Sequence, residues 1–356
     1  MSLHSIRYFN GNIFTGDSWH NELVITTNYD RIVSVAGQGE AAAEKDLQGN
    51  SLVPAFIDLQ LYGGNGMLFG EHPSVESLQA TVDYSRTGGA KLILPTVATN
   101  SNEIVFAAID AVREYWSRGG VGVAGLHLEG PFLNPAKCGA HDINKMQEPT
   151  VSNIRTITEY GRGIIRFMTI APELFTDEGL EILKEAEIII SAGHSNASYE
   201  EAMAAFEKGV NTCTHLFNAM SALQHRAPGL VGAILDHSRV MSSIVTDGYH
   251  VDPVAIRLAK KIMGDRLFII TDAVTENPEG HYRHRLDGNR YVMPDGTLSG
   301  SALTMTSAVN YCIEKVGIDA SEALRMASLY PAKVLGMDNE WGRIAPGYRA
   351  DALFIL

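Results

Sequence analysis

The sequence predicts an α/β protein, a (β/α)8 TIM barrel with a small β-sandwich-like domain contributed by both chain ends. Three observations carry that prediction. Apolar, β-favouring runs recur eight times after residue 53, at roughly the 30-residue spacing of a β-α-β unit. Helix-patterned segments with start and stop signals separate them. Residues 1–52 and 342–356 read as short strands and turns, so they are assigned to the small domain and residues 53–341 to the barrel.

The elements follow in chain order. Near the start, "IRYFNGNIFTG" turns at Asn10-Gly11, a hairpin-type pair between strand-like runs. The eight runs are "AFIDLQL" (55–61), "KLILPTVA" (91–98), "VGVAGLHLE" (121–129), "IRFMTIAP" (165–172), "EIIISAGH" (187–194), "NTCTH" (211–215), "VMSSIVTD" (240–247) and "RLFIITDA" (266–273). Between them, Ser101 or Asn102 can cap a helix whose face is Ile104, Ala108, Ile109, Val112 and Trp116, with Gly119 as its stop. Ser198 and Glu201 have capping-box spacing, with Gly209 as terminator. Asp252 caps a third helix, with Pro253 at its first position and Gly264 at its end. After the eighth run, "HYRHRLDGNRYVMPDGTLSGS" reads as an inserted hairpin before helices over 302–316 and 320–328. The closing "WGRIAPGYRADALFIL" returns to a β pattern that rejoins the N-terminal strands. No G-x-G-x-x-G follows the first run, which argues against a dinucleotide-binding sheet.

Composition narrows the function classes. A 356-residue chain that is 45% apolar and 19% charged can bury a large core. No run approaches the ~18 apolar residues of a membrane span, and the N-terminus has no basic segment followed by an apolar stretch, so the cytoplasm is the expected compartment. Three scattered cysteines, Cys138, Cys213 and Cys312, do not make a disulfide framework. A formal charge of −13 disfavours nucleic acid as a partner and requires any anionic substrate to meet a local positive cluster.

In such barrels chemistry gathers where the strands end. Gln60, Glu129, His194, His215, Asp247 with His250, and Asp272 are polar residues closing apolar runs. A lone histidine there would usually be a hydrogen-bonded core residue; several on one rim point to a site. Glu129, His194 and His215 form the two-histidine, one-carboxylate set of a catalytic zinc shell with an open position. The same donors accept iron, cobalt, manganese or nickel, so one divalent ion is expected, zinc first among them. A salt bridge is the other reading of Glu129, but no Lys or Arg closes another run. Asp272 would be a fourth ligand, a proton acceptor, or a cap on the next helix.

The matching stretches are "LVPAFIDLQLYG", "HLEGPFLNPAKCGAH", "AGHSNA", "THLFNAM", "HRAPGLVGAILD", "TDGYHV", "TDA" and "GTLSGSALTM". In these the chain resembles the amidohydrolase superfamily of metal-dependent hydrolases and, within it, the family of N-acetylglucosamine-6-phosphate deacetylases. The resemblance implies hydrolysis of the sugar's acetamide to glucosamine 6-phosphate and acetate, in amino-sugar catabolism or cell-wall recycling. It implies Glu129, His194 and His215 as metal ligands, Asp272 as catalytic acid/base, and His250 as a catalytic and substrate-contacting histidine. It further implies sugar and phosphate contacts from Ala140, His141, Asn218 and Ala219, and a sugar-bordering loop of Ser299, Gly300 and Ser301. Arg226 matches a phosphate-binding arginine that reaches over from a neighbouring subunit, which implies a homodimer or homotetramer. No membrane partner is implied.

Two departures matter. Many superfamily members carry His-x-His on strand one and a bridging lysine on strand four. Here those places read Gln60-Leu61-Tyr62 and Ile170-Ala171-Pro172-Glu173, so a single metal is expected. Tyr62 stands where single-metal members carry Asn, and is expected to be packing more than acetyl-pocket lining. The family's small domain continues beyond a stretch like "RADALFIL", so the chain is expected to end early or to have been trimmed. The competing readings are another amide-cleaving relative, such as a D-aminoacylase or a dihydroorotase, and a non-catalytic barrel scaffold. The first would need a carboxylate-binding arginine in place of "HRAPG"; the second would lose ligands. A Schiff-base isomerase or aldolase would want a strand-end lysine, and none is visible.

Overall fold

A parallel strand covered by helices on one side and by the barrel interior on the other is buried on both faces, so it reads as an apolar run. In the computed structural model, which describes residues 5–36 and 43–356, this holds for the barrel strands. The parts of the N-terminal reading on residues 1–4 and 37–42 lie outside the described residues. The strands are Phe56–Leu61, Ala90–Ala98, Leu126–Glu129, Ile165–Ile170, Ile189–Ala192, Thr212–Cys213, Met241–Val245 and Leu267–Ile270. Each pairs in parallel with the next in chain order. The first and last meet at the top, where the Asp272 amide donates to the Gln60 carbonyl at 2.9 Å and Leu61 bridges Ala273. The chain is therefore a (β/α)8 barrel, as expected.

Helix ends follow their signals. Asn102–Ser117 is capped from Ser101 by backbone alone. Tyr199–Glu207 has the full Ser198–Glu201 capping box, and Pro253–Met263 starts from Asp252 and stops at Gly264. Three details differ from the expectation. The third strand begins at Leu126 and not Val121, because Gly122 and Gly125 take φ of +96° and +145°, which breaks extended pairing. The inserted hairpin is a three-stranded antiparallel sheet, Arg285–Asp287, Arg290–Val292 and Leu298–Ser301. A helix at Leu329–Leu335 went unforeseen because Pro331 reads as a breaker; it sits in the first turn, where its missing N–H costs nothing.

The chain ends form two four-stranded sheets. Leu353–Ile355 runs antiparallel to Ser51–Pro54, and a separate apolar cluster of Ile13, Ile25, Ile32, Leu47, Leu52, Ile344 and Leu353 lies in this unit. None of the helices among the described residues is long and apolar enough to cross a membrane.

Candidate metal centre and active site

Glu129 closes the third strand in register with Ala98 and Thr169. Alternation points His127 and Glu129 the same way, into the barrel. His127 is the satisfied member. Its Nδ1 lies 3.0 Å from the Leu59 carbonyl and its Nε2 2.8 Å from Thr169 Oγ1, and burial pulls its pKa down to about 4. Gly130 then turns the chain at φ +95°, and a Cβ there would stand 2.2 Å from Thr99 Oγ1. His194, His215 and Asp272 leave their strands with φ of 48°, 41° and 55°. Left-handed backbone costs a non-glycine residue about 1–3 kcal/mol, and it persists where surrounding structure holds it. Here it swings three strand-end side chains onto one rim.

The donor atoms converge. His215 Nε2 is 2.9 Å from Glu129 Oε1, His194 Nε2 is 3.3 Å from the same oxygen, and the two imidazole nitrogens are 3.1 Å apart. Three ligands bound tetrahedrally to a divalent ion stand about 3.4 Å from one another, so the trio is nearly at ligand spacing. His194 Nδ1 lies 2.8 Å from the Lys137 carbonyl, which accepts only; the ring proton is therefore on Nδ1 and a bare Nε2 lone pair faces the carboxylate. Two electron-rich atoms in contact need a cation between them. No Lys or Arg is among the Glu129 partners, which are Gln60, Tyr62, His141, His194 and His215. A divalent metal ion fits this donor set.

Glu129, His141 and His194 also bring ligand atoms within 4.8 Å of one another. His141, however, accepts the Thr99 amide at Nδ1, at 3.2 Å, which leaves its proton on Nε2, 3.0 Å from Glu129 Oε2. In that state it donates and does not ligate. Burial would raise the Glu129 pKa, but the charges and hydrogen bonds of His141 and His194 hold it well below the carboxylate range. Burial takes His194 down to about 4, so its lone pair is available.

A second group borders the trio. Asp247 Oδ2 lies 2.6 Å from His250 Nδ1 and orients the ring, and His250 Nε2 is 3.5 Å from Asp272 Oδ2. Asp272 Oδ1 accepts from Gln60 Nε2 at 2.9 Å. Burial raises the Asp272 pKa against the pull of His250 and His215. No helix follows Asp272 directly, so it is no cap.

The cleft over this floor is lined by Ala140, His141, Asn218, Ala219, His250, Asp272, Ser299 and Gly300 among the expected residues, together with Glu129, His194 and His215. Two expected residues lie elsewhere. Ser301 is fully buried behind the wall, donating to the Thr271 carbonyl. Arg226 lines a neighbouring groove with Lys137, Asn196 and Ser198, outside the cleft. Sequence reasoning undervalued Tyr62, which is a cleft residue whose hydroxyl donates to Glu129 Oε2 and accepts from Gln60 Nε2 at 2.8 Å. It missed Tyr282 and His284, which line the cleft from the inserted segment. Their i, i+2 spacing in "HYRH" was the available signal.

Comparison with known proteins settles the family. The Amidohydrolase family model matches residues 51–356. The chain belongs to the amidohydrolase family. Over 313 residues it is 39% identical to an N-acetylglucosamine-6-phosphate deacetylase of Haemophilus influenzae, covering 85% of this chain and 81% of that one. It is 35% identical over 317 residues to an N-acetylgalactosamine-6-phosphate deacetylase of a Shewanella species, covering 87% and 80%. Among solved structures, N-acetylglucosamine-6-phosphate deacetylase from Pasteurella multocida superposes with a TM-score of 0.92 at 34% identity, over 97% of this chain and 94% of that one. Within this family the question becomes which amide the protein cleaves.

Proposed function

We propose that this amidohydrolase removes the acetyl group of N-acetylglucosamine 6-phosphate, giving glucosamine 6-phosphate and acetate. The observation that carries the reading is the Glu129–His194–His215 trio at ligand spacing, with Asp272 beside it on the floor of one cleft. The similarity to named deacetylases of amino-sugar 6-phosphates supports the substrate class.

When bound by Glu129, His194 and His215, a divalent ion supplies Lewis acidity that polarises a carbonyl and eases deprotonation of water. We take the ion to be zinc. Asp272 accepts the proton of the water that attacks the acetamide carbon, and its raised pKa suits it to hold that proton. His250, fixed by Asp247, turns Nε2 toward the reacting group and hydrogen-bonds the acetamide as charge develops, an interaction typically worth about 3–4 kcal/mol. As the C–N bond breaks, Asp272 returns the proton to nitrogen. Water is consumed, and a neutral amine and acetic acid leave, the acid giving up its proton to solvent as acetate.

Ala140, His141, Asn218, Ala219, Ser299 and Gly300 hold the sugar. The same reading makes residues 53–341 the catalytic unit and residues 1–52 with 342–356 a supporting domain, and it locates the enzyme in the cytoplasm. Arg226, standing outside its own cleft, supports a homodimer or homotetramer in which it clamps phosphate in a neighbour's site. A second reading, the galacto substrate, is favoured by the relatives named as N-acetylgalactosamine-6-phosphate deacetylases.

The test is acetate release by the purified protein from N-acetylglucosamine 6-phosphate, its galacto epimer and the unphosphorylated sugars. The reading requires turnover of a phosphorylated substrate well above its unphosphorylated form. Turnover of an N-acyl amino acid or dihydroorotate instead would replace it.

A further inference from the structure

A strap of inserted chain lines one wall of the cleft, and it is pinned at several points. The Glu71 carboxylate accepts the amides of His281 and Tyr282 at 2.8 and 2.7 Å. Tyr282 donates its hydroxyl to the Thr99 carbonyl at 2.6 Å, and Asn277 Nδ2 donates to the Tyr282 carbonyl at 2.8 Å. Two residues later His284 lies against the Tyr282 ring, with centroids 6.2 Å apart and planes at 12°. These contacts leave its imidazole little freedom.

His284 is 5% exposed, yet it lines the cleft. Its Nδ1 is paired with Ser299 Oγ at 2.9 Å, and its Nε2 has no hydrogen-bond partner among the described residues. With no protein partner, that nitrogen is available to a ligand or water in the cleft. Burial brings the imidazole down to about 4, so near neutral pH the ring carries no charge. An uncharged imidazole is a poor match for phosphate and a good one for a hydroxyl, which can donate or accept as the Ser299 pairing dictates.

The geometry of the substrate says which hydroxyls. With the acetamide on carbon 2 at the floor, and carbon 6 carrying the phosphate, the ring's long axis runs between opposite corners. One flank carries the 3- and 4-hydroxyls; the other carries the ring oxygen and the anomeric centre. A wall offering a neutral hydrogen-bonding pair matches the flank with two hydroxyls.

We propose that His284, paired with Ser299, reads the 3,4-hydroxyl edge of the bound amino sugar and so sets which epimer at carbon 4 is preferred. This rests on the deacetylase reading above, and it names a specificity residue within it.

The experiment compares kcat/KM for N-acetylglucosamine 6-phosphate and N-acetylgalactosamine 6-phosphate in wild type, His284→Phe and His284→Gln, with melting temperature as a fold control. Phe keeps the ring and removes both nitrogens; Gln restores a neutral donor and acceptor. His284→Phe is expected to lower kcat/KM for the preferred epimer about ten- to a hundredfold and to change the other less than about threefold, with partial recovery in His284→Gln. A wild type with no preference, or equal losses on both epimers, overturns the proposal while leaving the deacetylase reading in place. A wild type that releases acetate from neither epimer overturns both.

Discussion

Tyr62 places its hydroxyl on Glu129 Oε2, the oxygen that also receives His141, while Oε1 faces His194 and His215. Oε2 is thereby held by two donors, while Oε1, which also accepts Gln60 Nε2 at 3.1 Å, keeps its imidazole-facing side for a cation. The tyrosine thus fixes the rotation of the carboxylate, which packing alone would not do.

Tyr62→Phe should therefore loosen the metal without emptying the site. Removing an outer hydrogen bond to a ligand typically weakens metal binding about 10- to 100-fold. Competition with a colorimetric chelator measures it. Affinity unchanged within about twofold would mean that Gln60 and His141 suffice.

Asp272→Asn should keep the metal and lose turnover. Asp272 accepts from Gln60 and faces His250 but is outside the ligand trio, so the amide fits the same space. The expected loss in kcat is roughly 10²- to 10⁴-fold, the usual range for general acid–base groups. Elemental analysis of the same preparation checks that metal is retained.

Asp58 gives the barrel a pH dependence remote from the rim. Its carboxyl receives the Thr271 amide at 3.2 Å and the Thr271 hydroxyl across the closing seam. Burial, outweighing those hydrogen bonds, raises its pKa from 3.8 to about 7. Between those values the folded chain keeps a proton that the unfolded chain has released, so stability falls as pH rises through the window. The full effect is about 4 kcal/mol, an order-of-magnitude figure. Urea unfolding at pH values spanning that window should show this decline in wild type and a flatter profile in Asp58→Asn.

Arg226→Ala should raise KM for the phosphorylated sugar about 10- to 100-fold, the loss of a charge-assisted clamp. KM for the unphosphorylated sugar should change little. Equal effects on both would mean that Arg226 supports the groove and not the phosphate.

Much of the site was legible because a polar residue ending a doubly buried strand is costly, and barrel geometry brings such ends together. Glu129, His194, His215 and Asp272 were found that way; the left-handed backbone of the last three explains how short strands still aim them inward, while Glu129 points in as part of its strand. The capping residues Ser198 and Asp252 were equally plain, since each meets its helix through adjacent backbone. What was not legible depended on distant partners. Ser299 and Ser301 look alike in sequence, yet one meets His284 in the cleft and the other is spent on the Thr271 carbonyl. His141 was expected to touch the sugar, and the Thr99 amide also turns it into a donor to Glu129. Tyr62 has the spacing of packing, and only the position of Glu129 across the barrel gives its hydroxyl a task.

The most direct test of the central claim is metal content measured together with acetate release, in wild type and Glu129→Gln. One divalent ion per wild-type chain, lost with activity on exhaustive chelation and restored on adding zinc, is the predicted result, with Glu129→Gln failing to hold the ion. Full-rate acetate release from a wild-type preparation with no detectable metal would contradict it.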